Sequence, residues 1–185
     1  MASFTTKKAT DSLHSSHQRI LYMTTTALFA ALICVTTAWI FHIPIGVNGG
    51  YVHVGDALIY LAAAILPTPY AMAAGAIGGA FADLFTAPLW APATFIIKML
   101  IALPFTNKKD TIIVPRNVIG VLIAAVISFV GYYIAEVLLF GTWAALIPSI
   151  IGTLAQSGGS AVLFLVFGFA LDRMRFKSSG IDKLL

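Results

Sequence analysis

Apolar residues run almost unbroken over Ile20–Phe41, Val118–Phe140 and Trp143–Leu171, and in shorter pieces over Val54–Leu66, Tyr70–Phe85 and Trp90–Pro104. A helix that crosses a bilayer needs roughly 20 mostly apolar residues, so the three long runs qualify on length. The three short runs are punctuated by "LPTP" at Leu66–Pro69 and "TAPLWAP" at Thr86–Pro92. Proline ends helices or occupies their first turn, so these breaks separate helices rather than kink them. The pattern predicts six helices, where fusing Ala57–Ala82 into a single kinked span would give five.

Charge placement decides for six. With a cytosolic N-terminus, Lys7, Lys8, Arg19, Lys108, Lys109, Arg116, Arg173, Arg175, Lys177 and Lys183 all fall inside, and the outer loops carry no lysine or arginine. Five helices would put "TNKKDTIIVPR" outside, against the positive-inside bias. The expected fold is therefore an all-α integral membrane protein with six transmembrane helices, both termini cytosolic and a ligand pocket in the outer half. Residues 1–19 are expected as a cytosolic tail, 20–175 as the membrane domain and 176–185 as a second cytosolic tail. The N-terminal stretch lacks a short apolar region followed by an A-x-A-like cleavage site, so it reads as retained.

Composition agrees: 59% of residues are hydrophobic and 10% charged, and the mean hydropathy is +0.95. The net charge of +4 comes from basic residues in short segments flanking apolar runs. They serve topology better than nucleic-acid binding. One cysteine, Cys34, excludes an intrachain disulfide and a cysteine metal cluster. No G-x-x-x-x-G-K-[ST], H-E-x-x-H or G-x-S-x-G occurs, which removes a P-loop, a zinc-protease motif and a nucleophile elbow.

The ionisable residues inside the apolar runs carry the functional information. Asp56 begins the second helix, Asp83 ends the third, Lys98 lies about two turns into the fourth and Glu136 lies one turn before the end of the fifth. A charge at the bilayer centre costs at least ~2.5–3.5 kcal/mol on insertion scales, so such groups face a bundle interior and find partners. Spacings of four give three stripes: Trp90, Thr94 and Lys98; Ser128, Tyr132 and Glu136; Gly152, Gln156 and Ser160. Together they outline a cavity in which Trp90 and Tyr132 stack on a ring while Lys98, Glu136 and Gln156 fix its polar edge. Asn48, Tyr51, His53, Asp56 and Asp83 complete the candidate substrate-binding set.

Blander roles stand beside these. Asp83 ends a stripe of Ala71, Gly75 and Gly79 that suits close helix packing, and it is a candidate cap or partner for Lys98. Asp56 is placed to cap its helix or offset the helix dipole. Tyr51 and Trp90 fit an interfacial aromatic belt. His53 reads as a solvated loop residue. Ala27 and Ala31 form a small-xxx-small pair suited to packing inside the bundle.

Six short helices, Ala27-x-x-x-Ala31 on the first, and then G-x-x-x-x-G-D-A (Gly50 to Ala57), A-D-L (Ala82 to Leu84) and W-A-P-x-T-x-I-I-K (Trp90 to Lys98) in order resemble the substrate-binding S-components of energy-coupling factor (ECF) vitamin transporters. The likeness covers roughly residues 20–175 and is nearest to the hydroxymethylpyrimidine or pyridoxine-type branch. It implies a high-affinity vitamin-binding subunit that takes its cargo from outside beneath the loops joining helices 1–2, 3–4 and 5–6. Phe41 to His53, with Pro44, Gly46, Gly49 and Gly50, would be a gate. It implies docking of a coupling membrane protein (T-component) on Ala27 and Ala31, two cytosolic ATPases as further partners, and toppling of the S-component during transport. It implies no cofactor or metal on this chain, ATP and Mg being used by the partners, no enzymatic activity, no nucleic acid, and residence in a bacterial plasma membrane. Cobalamin, a queuosine precursor and riboflavin remain alternative cargoes, and a solitary ion-coupled transporter using Asp83 or Glu136 remains an alternative mechanism.

Overall fold

A computed structural model describes residues 2–40, 42–44, 51–141, 143 and 146–178, without the side chains of residues 2–15, 44, 51–52 and 146–149. The helices are α1 (Ala2–Ala38), α2 (Asp56–Ile65), α3 (Thr68–Thr86), α4 (Ala91–Leu100), α5 (Pro115–Phe140) and α6 (Leu146–Arg173). A 3-10 turn, Pro88–Trp90, leads into α4. Between α1 and α2, β1 (Ile43–Pro44) and β2 (Tyr51–Val52) pair antiparallel, with Ile43 opposite Val52 and Pro44 opposite Tyr51. The polar stretch before Ile20 continues α1 as helix.

Three segments are long and apolar enough to cross a membrane: Ser16–Ala38, Pro115–Phe140 and Ile150–Arg173. Their outward faces carry Leu28, Leu122, Leu138, Leu154, Val162 and Phe169, all well exposed. Such a surface would be insoluble in water and suits hydrocarbon, so the chain is an integral membrane protein. By contrast α2 and α4 have ten residues each. At 1.5 Å per residue each is about 15 Å long, half of a ~30 Å hydrocarbon core.

The proline breaks act as the sequence pattern requires. Leu66, which caps α2, is extended at φ −88° and ψ 153°, and Pro67, which caps α3, is extended at φ −54° and ψ 142°. A residue before proline is pushed out of the α region, so α2 stops and α3 restarts with Pro69 in its first turn. Pro115 opens α5 where no N–H is missed, and Gly141 closes it in the left-handed region at φ 65°.

Small residues set how closely the helices approach. A Cβ on Gly78 of α3 would lie 2.6 Å from the Ala30 carbonyl oxygen and 2.8 Å from Ile33 Cβ, so α1 and α3 touch nearly backbone to backbone. Packing inside the bundle thus falls to Ala30 and Ile33, which are buried, while Ala27 and Ala31 are exposed. This corrects the reading of Ala27 and Ala31 as an internal packing pair. On the other face of α3, a Cβ on Gly75 would lie 2.7 Å from the Lys98 carbonyl oxygen, and one on Gly79 would lie 2.8 Å from Lys98 Cγ. α3 is therefore a flat spacer between α1 and α4. α2 occupies the centre, with every residue but Leu58 buried. Tyr60 stacks on Phe105 at 5.0 Å between centroids and meets Phe164 edge-on at 6.0 Å.

At the end opposite the hairpin, three side chains fasten the α4–α5 connection. Asn117 accepts from the Thr106 amide (2.8 Å) and donates to the carbonyls of Thr106 (3.1 Å) and Ile112 (2.9 Å). Asp172 accepts from the amides of Ile112 (2.6 Å) and Ile113 (2.8 Å). Lys177, itself buried, donates to the carbonyls of Ala64 (3.0 Å), Asn107 (2.7 Å) and Lys109. Irregular backbone against an apolar core needs such partners, and here α5, α6 and the residues after α6 supply them.

Replacing Gly78 with alanine is expected to lower unfolding stability in detergent by about 1–3 kcal/mol through overpacking. The same change at Gly158, where a Cβ would meet nothing within 4 Å, should leave the thermal midpoint unchanged.

Candidate functional site

Asp56 and Lys98 meet in the middle of the bundle. Lys98 Nζ donates to Asp56 Oδ1 at 2.5 Å, and the two side chains are 1% and 0% exposed. Gln156 Nε2 donates to the other carboxylate oxygen at 2.7 Å. The short α2 explains the meeting, because its N-terminal residue starts inside the bundle, level with the last turn of α4 and the first half of α6. Asp56 does not cap its helix: Gly55 is the cap residue, and no side chain completes it. Asp83 was one candidate partner for Lys98. The carboxylate that Lys98 meets at 2.5 Å is Asp56.

The α4 stripe closes on Tyr132 of α5. Trp90 lies 6.1 Å from the Tyr132 ring at 58°, Thr94 Oγ1 is 3.0 Å from the Tyr132 hydroxyl, and Lys98 Nζ sits 5.3 Å from the ring centroid. The lysine is thus held by a carboxylate on one side and an aromatic face on the other. All three stripe residues are buried. Gly79 and Gly131 make this approach possible, since a Cβ on Gly131 would lie 2.7 Å from Ile97 Cγ1.

His53 is buried, at 4% exposure, rather than solvated. Its Nδ1 accepts from the Gly55 amide at 3.0 Å and lies 3.4 Å from Thr37 Oγ1. An accepting Nδ1 makes Thr37 the donor and leaves the remaining proton on Nε2. Gly55 is obligatory here, because a Cβ would fall 2.1 Å from Thr37 Oγ1. Burial first, then the nearby Lys98 charge, push the His53 imidazole down to about 3. Thr37 is a buried polar partner of His53 that the sequence pattern does not single out, being one of several threonines on α1.

Asp83 is buried near the end of α3, within electrostatic reach of Tyr132. Glu136 lies half-buried one turn beyond Tyr132. Asn48 and the gate glycines Gly46, Gly49 and Gly50 lie outside the described residues, and for Tyr51 and Pro44 only the backbone is described. Four buried hydroxyls, Tyr60 Oη and the Oγ atoms of Ser128, Ser157 and Ser160, have no hydrogen-bond partner among the described residues. Ser128 precedes Tyr132 by one turn on α5, and Ser157 and Ser160 flank Gln156 on α6. Buried hydroxyls without a partner are uncommon in native structures, and three of these four lie on α5 and α6, close in sequence to Tyr132 and Gln156.

The profile of the family described as ECF-type riboflavin transporter, S component, matches residues 17–173. The chain belongs to this family. A protein of Pyrococcus woesei described as "Uncharacterized protein in gap 3'region" is similar as well, 30% identical over 110 residues that make up 59% of this chain and 74% of that protein. As an S-component, the chain is a membrane-embedded substrate-binding subunit of a transporter, a class that works with a T-component and ATPases. The matched span runs from His17 to Arg173, so it contains the whole Asp56–Lys98–Gln156 cluster.

Removing one partner of a buried ion pair strands the other charge, so Asp56→Asn or Lys98→Met alone should each lower stability by about 3–5 kcal/mol. The Asp56→Asn/Lys98→Met double variant should recover most of that loss in detergent unfolding. A second expectation concerns pH. Because the folded His53 has a lower pKa than the unfolded 6.5, the unfolded chain binds the extra proton. Stability should be level above pH 6.5 and fall as pH drops from there toward 3. His53→Gln should flatten that slope.

Proposed function

We propose that this chain captures a flat, polar heteroaromatic vitamin from the outer side of the cell membrane and delivers it inward as part of an ECF importer. The observation that carries the reading is the buried Asp56–Lys98–Gln156 cluster with Tyr132 over its ammonium and Trp90 against the Tyr132 ring, inside a chain of the S-component family. An aromatic wall takes a ring by stacking. The ammonium, carboxylate and amide beside it, with the unpartnered hydroxyls of Ser128, Ser157 and Ser160, offer donors and acceptors to ring nitrogens and carbonyls. The family name makes riboflavin the first cargo to test, ahead of the pyridoxine or hydroxymethylpyrimidine suggested by the sequence motifs.

In this reading all six helices lie within the membrane and both termini face the cytosol, with the β1–β2 connection, Asn48 and Tyr51 included, covering the cargo. His53, Asp83 and Glu136 complete the lining. Ala27 and Ala31 sit on an exposed strip of α1 beside Leu28, Leu32 and Val35, a surface that fits close docking of a T-component helix. The partners' ATP hydrolysis would drive release to the inside.

The test is a titration of the purified chain with riboflavin, followed by flavin fluorescence, with pyridoxine and hydroxymethylpyrimidine as competitors. Tight riboflavin binding that weakens about 10–100-fold in Trp90→Ala, as loss of a stacking partner and its packing predicts, supports the assignment. Displacement of flavin by a low concentration of pyridoxine would move the cargo to the smaller ring. Ala27→Trp and Ala31→Trp should keep the affinity while abolishing ATP-driven uptake with the partner subunits. Uptake by the chain alone in vesicles would overturn the importer reading.

A further inference from the structure

The second feature of the molecule lies at the opposite end from the ion-pair cluster. A cavity of about 360 Å³ is lined by Thr106, Lys108, Lys109, Val114, Pro115 and Arg116. Three of its six lining residues are cationic, and Lys108, Lys109 and Arg116 are all exposed. Arg116 is steered by a bond from its Nε to the Pro104 carbonyl at 3.3 Å. The cavity is rigid where most basic loops are not, because Asn117, Asp172 and Lys177 fasten both of its flanks. Of the neighbouring carboxylates among the described residues, Asp172 is occupied by the amides of Ile112 and Ile113, which leaves the exposed Asp110 in the loop. The first turn of α5 adds a weak positive field.

We propose that this cavity binds the phosphate headgroup of an anionic phospholipid. The chemistry it recognises is a phosphate monoanion or diester, and the surroundings favour a lipid as its source. Val118, Ile119 and Leu122 are exposed on α5 within two turns of Arg116, and Leu103 is exposed on the α4 side. They continue from the charged mouth directly onto the apolar belt where acyl chains lie. Basic pockets at the ends of membrane helices hold acidic headgroups in this way. The site does not depend on the identity of the cargo.

The experiment is native mass spectrometry of the full chain released from nanodiscs containing equal phosphatidylglycerol and phosphatidylcholine. We expect phosphatidylglycerol adducts to dominate. In the K108Q/K109Q/R116Q variant they should fall about 100-fold, since each of the three cations at the headgroup contributes about fivefold. The K7Q/K8Q/R19Q variant, with the same change in net charge, should retain them. Thermal midpoints of both variants check folding, and Arg116→Gln alone should give an intermediate loss if the triple variant unfolds. A parallel arm titrates inorganic phosphate into the lipid-bound protein. Adducts that survive millimolar phosphate support the lipid assignment, and adducts displaced by it overturn the lipid in favour of a soluble anion. Equal retention of the two lipids, or equal loss in both triple variants, overturns the site.

Discussion

An ammonium and a carboxylate lie 2.5 Å apart at a place where neither meets water, and much of the bundle is shaped by the need to keep them together. Either ion alone inside hydrocarbon is strongly unfavourable, while the pair with a third hydrogen bond from Gln156 is tolerable. That requirement places three chain segments: the start of α2, the last turn of α4 and the first half of α6. It also explains the glycines. Gly75 and Gly79 remove the side chains that would otherwise push α4 and its lysine away from α3.

The same pair lies against an aromatic face, with Lys98 Nζ 5.3 Å from the Tyr132 ring centroid, so α5 shares in shielding the ammonium. The polar clamp of Asn117, Asp172 and Lys177 serves the other end. It fixes the return from α4 to α5.

Membrane character and helix breaks were legible from local rules. Apolar run lengths reported the helices, and prolines at Pro67, Pro69, Pro88, Pro92 and Pro115 reported where they stop or start. The period of four also found the α4 stripe correctly, since Trp90, Thr94 and Lys98 all face Tyr132. These are properties of single segments, and a single segment carries its own periodicity. The membership in the S-component family was likewise visible, because ordered short motifs are linear information.

What joins different segments was decided only by tertiary structure. The sequence offered Asp83 as a partner for Lys98 and gave Asp56 the role of a helix cap. The choice of Asp56 follows from α2 being only ten residues long and starting deep in the bundle, a fact about depth that spacing does not encode. The burial of His53 against Thr37 and Gly55 likewise depends on how the chain returns after α1. Which alanines of α1 face inward was settled by Gly78 admitting Ala30 and Ile33, leaving Ala27 and Ala31 outside. A helix pattern tells which residues share a face, but only the neighbouring helix tells which face is covered.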